Sequence, residues 1–133
     1  MQQHHEDYRV TLTLNPAQAR VVMRALDLYS RLKMGQFDEI VSLFGFHREF
    51  DRDHARLLLR DLHTTVFPEL HGNEYYGIFH EQAGDGREAW DIYQTIRHAV
   101  AWHREPEGGI TVDFDRPLKS SAEPLPVVTI EKP

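Results

Sequence analysis

Residues 8–14 read YRVTLTL. Tyr8, Val10, Leu12 and Leu14 alternate with Arg9, Thr11 and Thr13. That is the period-two pattern of a strand with one apolar and one polar side. The stretch decides the fold class, because most of the remaining chain has helical spacing. Two later segments share its character. After Gly108 and Gly109, residues 110–115 read ITVDFD, with Ile110, Val112 and Phe114 alternating with Thr111, Asp113 and Asp115. Residues 127–130, VVTI, make a further short strand, preceded by an extended proline-containing segment at 117–126.

Between these strands the spacing predicts four helices. Asn15 suits an N-cap, Pro16 the first helical position and Gln18 the third, close to a capping box. The first helix is predicted over residues 16–33, roughly 27 Å long. Val21, Val22, Ala25, Leu26, Leu28, Tyr29 and Leu32 cover nearly half its circumference, opposite Arg20, Arg24, Asp27 and Arg31. An arc that wide suggests apolar contact on two sides. Within YSRLKMGQ, residues 29–36, Tyr29 joins the arc, Arg31 can pair with Asp27, and Gly35 fits a helix stop. A short binding loop at residues 33–36 is the other reading. A short helix is expected at 37–46, with Phe37, Ile40, Val41 and Phe44 inward. Another is expected at 53–67, with Ala55, Leu58, Leu59, Leu62 and Val66 on one face and Pro68 ending it. The last is expected at 85–104, capped by Asp85.

The expected fold is therefore α+β: four helices packed on a small, mainly antiparallel sheet of two or three strands from the chain ends. One domain spans residues 1–133, with residues 1–7 a loose polar arm. Such a sheet leaves exposed edges, and with the wide arc of the first helix this favours a homo-oligomer over a monomer with every face covered internally.

Composition narrows the function classes. The chain has 133 residues, 41% apolar, and a formal charge of −6. An acidic chain with scattered arginines argues against a nucleic-acid polymer as partner. No apolar run reaches the roughly 18–20 residues needed to span a bilayer, and no signal-peptide pattern opens the chain. With no cysteine, disulfides and thiolate chemistry are excluded. Nine histidines predict strong pH dependence of solubility. Phosphate-loop, dinucleotide-binding, nucleophile-elbow and HExxH motifs are absent, and no cofactor is implied.

The densest chemistry lies on the 85–104 helix. Trp90, Tyr93, Arg97 and Arg104 fall within about 60° of one another by helical spacing. Guanidinium groups beside two aromatic faces can stack a planar base and bind a phosphate. Arg97 covering Trp90 at a core boundary is the structural alternative. Residues 68–85, PELHGNEYYGIFHEQAGD, form a long aperiodic loop rich in aromatics, with a short strand at 75–80 as an alternative. Tyr75, Tyr76 and His80 are expected to cover the cluster, with Arg31 or Lys33 contributing from a neighbour. Asp113 and Asp115 share a strand face roughly 7 Å apart, a spacing that can hold a divalent ion or simply face solvent. His98 and His103, about 140° apart on one helix, cannot easily share an ion.

Residues 25–37 (ALDLYSRLKMGQF), 56–62 (RLLLRDL) and 89–104 (AWDIYQTIRHAVAWHR) together resemble a family of small α+β proteins encoded by tailed phages and prophages. The resemblance covers about residues 10–116 and carries over no catalytic residue. What it implies is context: a protein made in the cytoplasm of a bacterial host, of a kind that more often binds than catalyses. Three readings are open. The leading one is a non-enzymatic protein that sequesters a small anionic, nucleotide-like ligand to counteract host defence, through Trp90, Tyr93, Arg97, Arg104, Tyr75, Tyr76, His80, Arg31 and Lys33. The second is a protein–protein inhibitor or adaptor acting on a host protein through the same aromatic surface. The third is a metal-assisted hydrolase using Asp113, Asp115 and histidines from elsewhere in the chain.

Overall fold

The computed structural model of the chain describes residues 7–132. Four α-helices succeed one another: α1 (Pro16–Lys33), α2 (Glu39–Leu43), α3 (Arg52–Val66) and α4 (Gly86–Arg104), with single 3₁₀ turns at Glu81–Ala83 and Val112–Phe114. Among the described residues there is no β-strand. The chain is all-α, which corrects the expected α+β fold and the sheet from its ends. Of the expected polar arm at 1–7, all but Asp7 lies outside the described residues.

The physical reason lies in what a strand needs. Alternation records that a segment could lie on a sheet, but a ladder also needs a second backbone about 4.8 Å away. Among the described residues, 8–14 and 127–130 make no backbone–backbone hydrogen bond. Residues 110–115 are drawn onto α4 instead. Trp102 Nε1 donates to the Phe114 carbonyl at 3.1 Å, the two rings meet edge to face, and residues 112–114 coil into the 3₁₀ turn. The strand considered for 75–80 is also absent; Tyr76 N donates a single bond to the Met34 carbonyl.

The helices form where local chemistry closes them. Asn15 and Gln18 make a complete capping box, side chain to backbone in both directions, at 2.9 and 3.0 Å. At the other end of α1, Gln36 N donates to the Arg31 carbonyl and Gly35 N to the Leu32 carbonyl, with Gly35 at φ 96°. These are the paired bonds of a glycine-terminated helix. The YSRLKMGQ stretch is a helix end. Asp51 caps α3 by accepting from His54 N at 3.0 Å. Asp85 departs from expectation: it has helical dihedrals and makes no capping bond, because its carboxylate accepts from the Tyr29 hydroxyl at 2.7 Å.

The central packing is α1 against α4. The last turn of α1 meets the first turn of α4 at Ser30 and Gly86, so closely that a Cβ on Gly86 would lie 3.0 Å from Lys33 Cβ and 3.4 Å from Ser30 Cα. From there α3 stands apart, joined through α2 and an aromatic series, Phe37, His63, Phe67 and Tyr76, with ring centroids 5.7–6.0 Å apart. His63 Nε2 pairs with the Glu74 carbonyl at 2.9 Å and fastens the loop after α3.

The interior is thin. Its buried apolar residues are Met34, Val41, Phe67, Ala83 and Ala89, interleaved with buried Ser30, His63, Asp91, Gln94 and Ser120. The wide arc of α1 is not filled, since Val21, Ala25 and Tyr29 remain exposed. Total accessible surface is 10720 Å², against about 7,300 Å² for a globular monomer of this mass. No helix among the described residues is long and apolar enough to cross a membrane.

Candidate functional site

On α4, helical spacing brings Trp90, Tyr93 and Arg97 together. The two rings lie 5.2 Å apart at 31°. The Arg97 guanidinium carbon sits 5.1 Å from the Tyr93 centroid and 6.0 Å from that of Trp90. Such an arrangement gains cation–π attraction of about 0.5–2 kcal/mol. The Arg97 side chain is only 19% exposed, and its Nε lies 3.4 Å from Asp113 Oδ1. That Nε is buried and makes no hydrogen bond of good geometry. Asp113 is therefore the ion-pair partner of Arg97, and Asp115 is exposed. Among the described residues, no three His, Asp or Glu side chains converge as ion ligands.

The remaining expected site residues separate into different neighbourhoods. Arg31 Nε binds Asp27 at 2.9 Å and its Nη1 binds Gln36 Oε1 at 2.9 Å, with Glu39 at 3.7 Å. Burial pulls the Arg31 pKa down, but the bond and charge of Asp27 outweigh it and hold it above the ordinary value. Lys33 Nζ lies 3.7 Å from Asp85. The Tyr29 hydroxyl bond holds the Asp85 carboxyl below the usual carboxylate value, and the same bond raises the Tyr29 phenol. Arg104, exposed in the last turn of α4, is in no ion pair among the described residues. Thus Arg31, Lys33 and Arg97 each already face a carboxylate.

The aromatic loop does not cover the cluster. Tyr76 stacks on His80 at 4.3 Å and donates to Glu69 Oε1 at 2.6 Å. That bond raises the Tyr76 phenol and lowers the Glu69 carboxyl. His80 Nδ1 accepts from Gln82 N and opens the Glu81–Ala83 turn. Tyr75 lines a shallow groove with Phe37, Leu59 and His63. No ring contact or hydrogen bond joins Tyr75, Tyr76 or His80 to Trp90, Tyr93 or Arg97 among the described residues.

Sequence reasoning missed a polar strap along α4, on a face adjoining the cluster. Asp91 Oδ1 accepts from Ser120 N and Oγ, and Oδ2 accepts from Ser121 N and Oγ, at 2.7–3.0 Å. Gln94 brackets the backbone of Leu118 with both ends of its amide. Residues 114–121 thereby run along α4 from Trp102 back toward Arg87, whose carbonyl lies 3.0 Å from Ser120 Oγ. The available signal was two polar residues at i,i+3 within an apolar helix; their partners lie 24–30 positions away.

Comparison of the chain with family models, curated proteins and solved structures returns no match.

Proposed function

We propose that this chain is a non-enzymatic binding protein whose working surface takes another polypeptide, as an inhibitor or adaptor. The observation that carries the reading is the uncovered apolar surface around α2 and α3. Phe46 is fully exposed, and Leu43, Phe44, Leu57 and Leu58 are each about half exposed. Behind them lies a groove walled by Phe44, Phe50, Ala55 and Leu58. Burying one such side chain contributes roughly 1.5–3 kcal/mol, and contiguous exposed patches of this kind mark protein interfaces. The resemblance to phage-encoded proteins supplies the setting of the proposal, a bacterial host and a host protein as partner. A photo-crosslinking amino acid at Phe46, expressed in host cells, tests it. One discrete crosslinked partner is expected, lost when Leu58→Asp is added. No discrete band, or the same bands from a probe at exposed Glu88, contradicts it.

Capture of a small nucleotide-like anion remains the second reading. One observation favours it: the Arg97 guanidinium lies over two rings and its buried Nε has no hydrogen bond. Against it, Arg31, Lys33 and Arg97 face carboxylates within the chain. Calorimetric titration with mono- and dinucleotides decides it. Binding that disappears in Trp90→Ala supports capture; no heat from folded protein removes it.

A further inference from the structure

The groove between α2 and α3 carries a mark of its occupant in its charge. Phe44, Phe50, Ala55 and Leu58 make it apolar, and of Asp, Glu, Lys and Arg its lining holds only Glu49 and Asp51. Both are exposed. Asp51 Oδ1 accepts from His54 N, and Oδ2 has no partner among the described residues. Glu49 is in no ion pair among them. The nearby arginines are engaged elsewhere or stand outside the groove. Arg52 donates to the Gly45 carbonyl and lies over the Phe50 ring. Arg56 faces Asp53 at 3.7 Å, and Arg48 is not part of the lining. The surroundings have the same sign: residues 35–75 hold eight acidic side chains and four arginines. At Arg31, Lys33 and Arg97 the chain supplies its own counter-charge; at this rim it does not.

We propose that the groove takes a basic amphipathic helix of the partner polypeptide. Its large apolar side chains enter the groove, and Lys or Arg beside them meet Glu49 and Asp51. The inference rests on the reading of this surface as a polypeptide interface and adds the chemistry of what binds there.

The shape fits a helix. The groove follows α3 from its cap through Asp51, His54, Ala55 and Leu58, spaced i, i+3, i+4 and i+7, roughly 10 Å or two turns. A second helix laid alongside presents anchors at the same spacing. An extended peptide would gain no backbone ladder, because no strand among the described residues offers an edge. With a volume of about 350 Å³ and one side open, the groove holds a row of side chains and does not enclose a small molecule. Its wall is set in advance. The Phe44 and Phe50 rings meet at 5.9 Å and 64°, and His47 N and Phe50 N donate to the Phe44 and His47 carbonyls. A pre-formed wall lowers the ordering cost of binding. Carboxylates at the rim speed encounter with a basic segment and reject an acidic one.

Two blocked helical peptides test this against the whole chain by fluorescence anisotropy. They share one leucine stripe and differ in the flanking residues, lysine in one and glutamate in the other. The lysine peptide is expected to bind, and the glutamate peptide to bind at least roughly tenfold more weakly. Glu49→Lys combined with Asp51→Asn, which keeps a capping side chain, should weaken the lysine peptide by roughly tenfold or more, with helix content unchanged by circular dichroism. Leu58→Asp should abolish binding. Equal affinity for the two peptides, no binding of either, or a lysine peptide indifferent to Glu49→Lys overturns the proposal. So does self-association at twice the 15.6 kDa chain mass that Arg20→Glu with Arg24→Glu removes, because α1 of a second copy, with Val21 and Ala25 exposed beside those arginines, would then fill the groove. The Phe46 crosslink tells the two failures apart. A partner joined through an acidic or extended segment overturns this inference and leaves the proposed function standing, whereas the absence of any discrete partner removes the reading on which it rests.

Discussion

Asp91 is the most heavily bonded side chain on α4, 2% exposed and accepting four hydrogen bonds from Ser120 and Ser121. Burial pushes its carboxyl up, and the bonds from Ser121 and Ser120 outweigh that, leaving it below the ordinary value. The folded chain therefore takes up this proton less readily than the unfolded chain. The stabilisation is complete above the ordinary carboxylate pKa and is lost as pH falls through the lower folded-state value. Asp91→Asn turns one acceptor edge into a donor facing donors, and is expected to lower stability by about 2–4 kcal/mol near neutral pH. Urea unfolding followed by circular dichroism measures it, and the gap between the two proteins should narrow below about pH 4. A constant gap across that range would assign the loss to packing rather than to charge. The sequence showed Asp91 and Gln94 as polar residues within AWDIYQ, but a partner 29 residues away leaves no local trace. Trp90, Tyr93 and Arg97 were legible because helical spacing alone sets them side by side.

At the scale of elements, helices were legible and strands were not, for one reason. A helix carries its hydrogen bonds within itself, and the Asn15–Gln18 box and Gly35 stop are written within a few residues. A strand segment specifies a face and leaves its partner to the rest of the molecule. Residues 110–115 have strand alternation, yet Trp102 and Arg97 on α4 reach Phe114 and Asp113 first. The Asp85 cap failed in a related way: Tyr29, 56 residues earlier, takes the carboxylate. The α1–α4 contact itself depends on Gly86, whose missing side chain lets Lys33 and Ser30 approach. Gly86→Val is expected to push the two helices apart and cost about 1–3 kcal/mol. Thermal unfolding should show a Tm lowered by several degrees, on the order of 3–8 °C. An unchanged Tm would mean that the helix ends can part without loss.

At the scale of the whole molecule, the chain has too much surface for its mass and too small an interior. Arg31, Lys33 and Arg97 are matched by the chain's own carboxylates, whereas Tyr8, Val10 and Leu12, Val21 and Tyr29 on α1, and Leu43, Phe44, Phe46, Leu57 and Leu58 around α2 and α3 are exposed. That imbalance directs the functional reading toward polypeptide partners and away from a small anion. The α+β expectation came from alternation alone, and residues 8–14 find no backbone partner among the described residues. The most direct test is a photo-crosslinking residue at Phe46, which is fully exposed beside the α2–α3 groove. One discrete polypeptide partner, lost when Leu58→Asp is added, is the predicted result; crosslinks that Leu58→Asp leaves unchanged would contradict it.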